Sequence, residues 1–295
     1  MQTQSNQTGF SLFELILVIV LLGVLASGAG LLITTPIQAY NDQLRRQQLV
    51  DQAEMALRQI ARDIRQALPN SIRFQNVGAA GWVLEMTNTI DGARYRDEAG
   101  GVFTTPADIL DFSSADTNFN LLGNFNIPAP AAPAEIALPG QRLVIYNTSS
   151  PNFYINVMAV GGAGVVTPST SALTLSQNGI EQRIGINPGF QFSQSSPGQR
   201  VFLIDGPISY ICDPSAGQTK MTRYSGYNFQ LNQPTTAASF GGQNGDVATQ
   251  LSACSISYDP GTAQRGGIVT LSLTLSDGTG EAITLLHQVH VVNVP

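Results

Sequence analysis

The chain is 295 residues long with a formal net charge of −6; 12% of its residues are charged and 43% hydrophobic. The acidic balance gives no support to nucleic-acid binding. A charged content about half the usual ~25% of soluble domains fits an exported protein whose polarity rests on Asn, Gln, Ser and Thr.

Residues 1–9 (MQTQSNQTG) form a short polar leader that ends in Gly9 and carries no charged side chain. An apolar run of about 24 residues follows over 10–33, long enough to span a bilayer core of about 30 Å. Its only ionisable side chain is Glu14. A carboxylate in that setting costs roughly 2.5–3.5 kcal/mol on insertion scales, which marks Glu14 as a functional residue whose partner is a positive charge on another chain. A secretory signal peptide would instead have a charged start, a shorter apolar core and a small-residue cleavage site. A plain single-pass anchor would leave Glu14 without a role. Gly23, Gly28 and Gly30 would allow close helix contact in a bundle, or are ordinary transmembrane glycines.

The order of leader, Gly9, Phe10, Ser11, Leu12, Phe13, Glu14 and Leu15 resembles the prepilin signature of type IV pilins and type II secretion pseudopilins. The resemblance implies cleavage by a membrane peptidase between Gly9 and Phe10 and N-methylation of Phe10. It also implies an assembly role for Glu14, by compensating the Phe10 amine of an adjacent subunit. The implied fold is α+β: a long N-terminal helix packed on a C-terminal antiparallel β-sheet head.

Beyond the span, Pro36 is expected to kink the helix. Leu49, Ala53, Leu57, Ile60, Ile64 and Leu68 then recur at spacings of three and four and form one apolar stripe. Arg45, Arg46, Asp51, Glu54, Arg58, Arg62, Asp63 and Arg65 supply a charged face, read as solvated or intersubunit. Pro69 ends the run. The expected organisation is therefore a leader at 1–9, a transmembrane helix half at 10–34, an amphipathic half at 35–68 and a periplasmic β-rich head at 69–295. A Pro- and Ala-rich stretch at 126–140 is a surface loop or a seam between two lobes.

Within the head, runs at 82–84, 109–112, 143–146 and 153–157 read as strands between Gly, Asn, Ser and Pro clusters. Further strands are expected at 201–204 and 208–212, flanking a turn or bulge at 205–207, and at 222–231, 253–258, 268–276 and 282–292. Val269, Leu271, Leu273 and Leu275 alternate with Ser and Thr as in a half-buried strand. Residues 276–280 (SDGTG) suit a hairpin connection. The strands of the second half would form an antiparallel sheet of at least four strands laid against the helix.

Cys212 and Cys254 are the two cysteines. In an oxidising compartment they most simply pair, tying two strands of that sheet, with two buried free thiols as the other reading. Many pilins carry such a disulfide near the C-terminus, so the resemblance favours pairing. No catalytic, cofactor or metal site is expected. His287 and His290 would point to opposite faces of a strand. Phosphate-loop, nucleophile-elbow and metalloprotease motifs are missing, and the glycines at 160–164 lack dinucleotide-loop spacing. Asp91, Asp97 and Asp277 sit in Gly-containing turns as turn formers rather than calcium ligands.

The segments LRQIARDIRQALPNSIR (57–73) and LLHQVHVVNVP (285–295) narrow the resemblance to a group of minor pilins. The group comprises J-type pseudopilins, PilW-type pilins and the MshO-type biogenesis pilins of the mannose-sensitive haemagglutinin (MSHA) pilus; the chain as a whole most resembles the last. The resemblance implies a non-enzymatic structural subunit acting in pilus initiation at or near the tip. Its implied partners are other pilins, prepilin peptidase, the inner-membrane assembly platform and the membrane itself, with no nucleic acid. It would reside as a single-pass inner-membrane protein before entering the filament. A J-like pseudopilin of type II secretion and a surface-binding adhesin head are the alternatives.

Overall fold

A computed structural model describes residue 9 and residues 11–217, 219–261 and 266–293, except for the side chains of 29–34 and 216. Helix α1, Leu12–Gln66, runs for 55 residues, about 80 Å at 1.5 Å per residue. Ser11 caps it, its hydroxyl accepting from the Phe13 amide at 3.3 Å. Glu14 in the first turn and Arg65 in the last suit the helix dipole. The helix runs through Pro36 and ends three residues before Pro69, where the Ala67 amide turns back to the Ile64 carbonyl.

The head follows. Strands β1 (Arg73–Val77), β2 (Gly81–Tyr95), β3 (Asp116–Leu122), β4 (Ile136–Ala137) and β5 (Arg142–Ile145) precede helix α2 (Ser150–Met158). Strands β6 (Ala172–Asn178), β7 (Glu181–Phe190), β8 (Arg200–Cys212) and β9 (Met221–Ser225) precede the short helix α3 (Ala237–Phe240). Strands β10 (Gln243–Ala248), β11 (Leu251–Asp259), β12 (Gly267–Ser276) and β13 (Ala282–Val291) complete it.

The expected sheet of the second half is divided between two. Ten strands follow the order β10-β9-β8-β2-β3-β7-β6-β4, with β1 beside β2 and β5 beside β8. The order β11-β12-β13 makes a separate three-stranded sheet. Along β12, buried residues alternate with half-buried ones, as its sequence anticipates.

The long strands β2 and β8 organise the head. Near the helix they carry β1 and β9; farther out the same two strands carry β3 and β5. Between these sets the ladder shifts register twice: Asn88 faces Gly206, Thr89 faces Ile204 and Asp91 faces Leu203. The expected turn or bulge at 205–207 is thus a bulge within one continuous strand. It also divides the core. Leu49, Ala53, Leu57, Ile60 and Ile64 of α1 pack with Trp82, Leu84, Met86, Tyr210 and the inward residues of β12. Tyr95, Phe119, Leu143, Ile184 and Leu203 form a second core beyond the bulge. Each large aliphatic side chain so buried contributes about 1.5–3 kcal/mol. The division falls at the bulge in β2 and β8, because both strands pass through it and bury residues on either side; residues 126–140 are mostly irregular backbone with little burial.

Two expected strands fail and a third is shortened. Residues 109–112 follow a 3-10 turn at Pro106–Asp108 and continue as bends. Residues 153–157 lie in α2, where Ser149 caps the first turn, Pro151 starts it and Phe153, Tyr154 and Val157 share a buried face. In the 222–231 stretch only the part within β9 is a strand.

The N-terminal helix and a cleft at its far end as candidate interfaces

The two halves of α1 have opposite fates. From Leu12 to Leu25 the large apolar side chains are exposed, Leu12 at 76% and Phe13 at 74%. Among the described side chains of the helix, burial begins at Leu49. Gly9 is exposed, Phe10 lies outside the described residues, and Glu14 stands on the exposed first turn. A Cβ built on Gly23 or Gly28 would meet nothing within 4 Å, so both leave bare backbone for a neighbour; the Gly30 position lies outside the described side chains. Among the described residues no helix is long and apolar enough to cross a membrane. The expected span at 10–33 lies partly outside them, at residue 10 and the side chains of 29–33.

The second half of α1 is fixed along its length. Arg45 and Arg46 reach the β12–β13 hairpin at Asp277 (3.7 Å) and Glu281 (3.6 Å). At the other end, the Asn70 side-chain amide donates to the Asn293 carbonyl at 3.3 Å. Strand β13 therefore runs beside the helix and in the same direction. Asp63 is not on a solvated face: it accepts from Tyr210 and Arg223, both at 2.7 Å. Glu54 and Arg58 do form an exposed pair, at 2.8 Å.

Of the three aspartates expected in turns, only Asp277 lies in one, between β12 and β13; Asp91 is within strand β2, because its segment pairs with β8, and Asp97 follows the end of β2. Asp277 accepts from the Thr279 hydroxyl and amide, which hold its carboxyl below the usual range. Asp91 accepts from Gly92 and Asn126 amides, and Asp97 from Gln199. His287 is half-buried and its Nε2 has no hydrogen-bond partner, whereas His290 is exposed on the opposite face. No cluster of three or more His, Cys, Asp or Glu side chains suited to a metal occurs among the described residues.

Cys212 and Cys254 form a disulfide with Cα atoms 6.6 Å apart. It joins the end of β8 to β11, and so ties the ten-stranded sheet to the three-stranded one rather than two strands of one sheet.

Residues 4–30 match the family model of the prokaryotic N-terminal methylation motif. The match supports a type IV pilin-like or pseudopilin protein. No curated protein and no solved structure matches the chain. The motif points to a membrane-anchored structural subunit rather than an enzyme, and to processing by prepilin peptidase and assembly with other pilins. The matched stretch overlaps the exposed apolar side chains of Leu12–Leu25.

The structure also has a cleft that the sequence does not announce. A cleft of about 670 Å³ opens where α1 ends and the bulge divides the two cores. Arg65, Arg94 and Arg200 line it together with Asp91, Ile90 and Phe202. The register sets Arg94 opposite Arg200 and Gly92 opposite Phe202. No local sequence signal marks these residues as a group, because the pairing of β2 with β8 brings them together across more than a hundred positions.

Proposed function

We propose that this chain is a minor pilin of an MSHA-like type IV pilus that takes part in filament initiation at or near the tip. The observation that carries the reading is the methylation motif placed on a helix whose first half is exposed and apolar and whose second half is packed into a head. In this reading residues 1–9 are a leader, cut between Gly9 and Phe10, and Phe10 is then N-methylated. The apolar half holds the precursor in the inner membrane with the head in the periplasm. Assembly moves that helix from lipid into a bundle of like helices. Glu14 compensates the Phe10 amine of a neighbour, since an ion pair in a low dielectric rewards one docking register. Lodging the second core beyond the end of α1 favours a position near the tip, where an enlarged head has no subunit stacked over it.

The test is the intact mass of the protein from membranes, with and without prepilin peptidase. A chain beginning at methylated Phe10 only when the peptidase is present is the expected result. A chain beginning at Met1 in both strains overturns the reading.

A further inference from the structure

The cleft at the end of α1 has an incomplete wall. Strand β2 is paired with β8 along one edge from Trp82 to Arg94. Its other edge is covered by β1 at residues 81–85, by Ala67 at Asn88, and by β3 at Arg94 and Tyr95. Among the described residues no strand pairs with 89–93 on that edge. This leaves a gap of about 17 Å at 3.3 Å per residue. The Gly92 amide, with no strand to pair with there, donates to Asp91 Oδ1 at 2.7 Å. A gap of this kind offers backbone donors and acceptors to one extended segment.

The charge around the gap is opposite to that of the chain. The protein carries −6 overall, yet three guanidinium groups meet one carboxylate in this cleft. That carboxylate is already engaged: Asp91 Oδ2 accepts from the Asn126 amide at 2.6 Å, besides its bond to Gly92. Arg65 has no hydrogen-bond or ion-pair partner among the described residues, and Arg94 pairs with the neutral Gln199. Guanidinium forks match carboxylates closely. The floor adds apolar surface from Ile90 and Phe202, and Val292 is 67% exposed at the rim.

We propose that this cleft receives an extended, carboxylate-bearing peptide segment of a neighbouring filament subunit, its acidic side chains on Arg65, Arg94 and Arg200 and its backbone along residues 89–93. The inference rests on the filament-subunit reading above. A peptide fits better than an acidic saccharide because the unpaired strand edge asks for backbone amides and the Ile90–Phe202 floor asks for apolar side chains.

The test uses the full chain in detergent micelles and a fluorescein-labelled peptide alternating glutamate and valine, beside its counterpart with glutamine for glutamate. Fluorescence anisotropy should show saturable binding of the glutamate peptide, and binding of the glutamine peptide weaker by about tenfold or more. Arg65→Glu with Arg94→Glu should abolish that difference. Ile90→Trp, which changes no charge, should fill the cleft and weaken both peptides. Equal binding of the two peptides, unchanged binding by the double variant, no saturation below about 1 mM, or tighter binding of a sulfated disaccharide would overturn the proposal. The N-terminal mass of the same preparation separates the two readings. A chain starting at Phe10 that does not discriminate the peptides overturns the cleft proposal alone. A chain starting at Met1 that does discriminate them overturns the neighbouring-subunit assignment.

Discussion

The Tyr210 hydroxyl donates to Asp63 Oδ2 at 2.7 Å, and through this bond the helix is joined to the ten-stranded sheet. The same oxygen accepts from Arg223 Nε at 2.7 Å. Tyr210 is wholly buried, and the Asp63 and Arg223 side chains are mostly so. Removing the carboxylate therefore strands a guanidinium that has lost its counter-charge. Asp63→Ala should cost about 1.5–3 kcal/mol, while Tyr210→Phe, which leaves the ion pair intact, should cost about 1 kcal/mol. Denaturant unfolding of the two variants checks this, and equal costs would mean the Asp63–Arg223 pair contributes nothing.

The disulfide closes a loop of 42 residues in sequence separation between two sheets. Restricting the unfolded chain over that length is worth about 4 kcal/mol in the chain-entropy account. Replacing both cysteines with alanine should lower stability by that order. Hydrogen exchange should rise first in β11, whose tie to β8 is lost. A uniform rise across both sheets would show that the three-stranded sheet does not open by itself.

Glu85 is fully buried beside Arg73, whose Nη2 donates to Oε1 at 2.8 Å, while Oε2 has no partner. Burial raises its pKa above the ordinary 4.5, and the opposing pull of Arg73 does not cancel this. The native state therefore holds this proton more tightly than the unfolded chain. Its contribution is present in full below 4.5 and is lost as pH rises through the folded value. Glu85→Gln should remove that part of the pH dependence. Unfolding free energies of parent and variant across pH 4–8 should then converge less at neutral pH than at acid pH, with the variant gaining on the parent as pH rises. Parallel curves would show that Glu85 titrates alike in both states.

On the filament reading, Glu14→Gln should leave cleavage and membrane retention unchanged and remove the protein from sheared filaments. Immunoblots of membrane and shear fractions measure this. Normal recovery in the shear fraction would show that the charge is not what docks the subunit.

The parts of the fold legible in the sequence are those set by local periodicity. The stripe from Leu49 to Ile64 is buried as its three-and-four spacing requires, and the alternation of β12 appears in its burial. Residues 153–157 were misleading because aromatic and β-branched composition favours strands, and a short apolar run does not distinguish strand from buried helix. The Ser149 cap and Pro151 were the local signals that decide it. Helical spacing groups Asp63 with the charged face, because that spacing does not say which flank a distant strand will cover.

The sequence by itself determined the apolar start of the helix with its single carboxylate, the packed stripe and the hairpin of β12 and β13, since each depends on neighbours a few positions apart. Tertiary structure alone decided that the described strands fall into two sheets, that the core divides at the bulge, that the disulfide links the sheets, and that Arg65, Arg94 and Arg200 share a cleft. Those outcomes depend on how β2 registers against β8, and a register is chosen by the packing of both faces at once. A single residue's slip would turn each side chain to the other side, so no local stretch carries that choice.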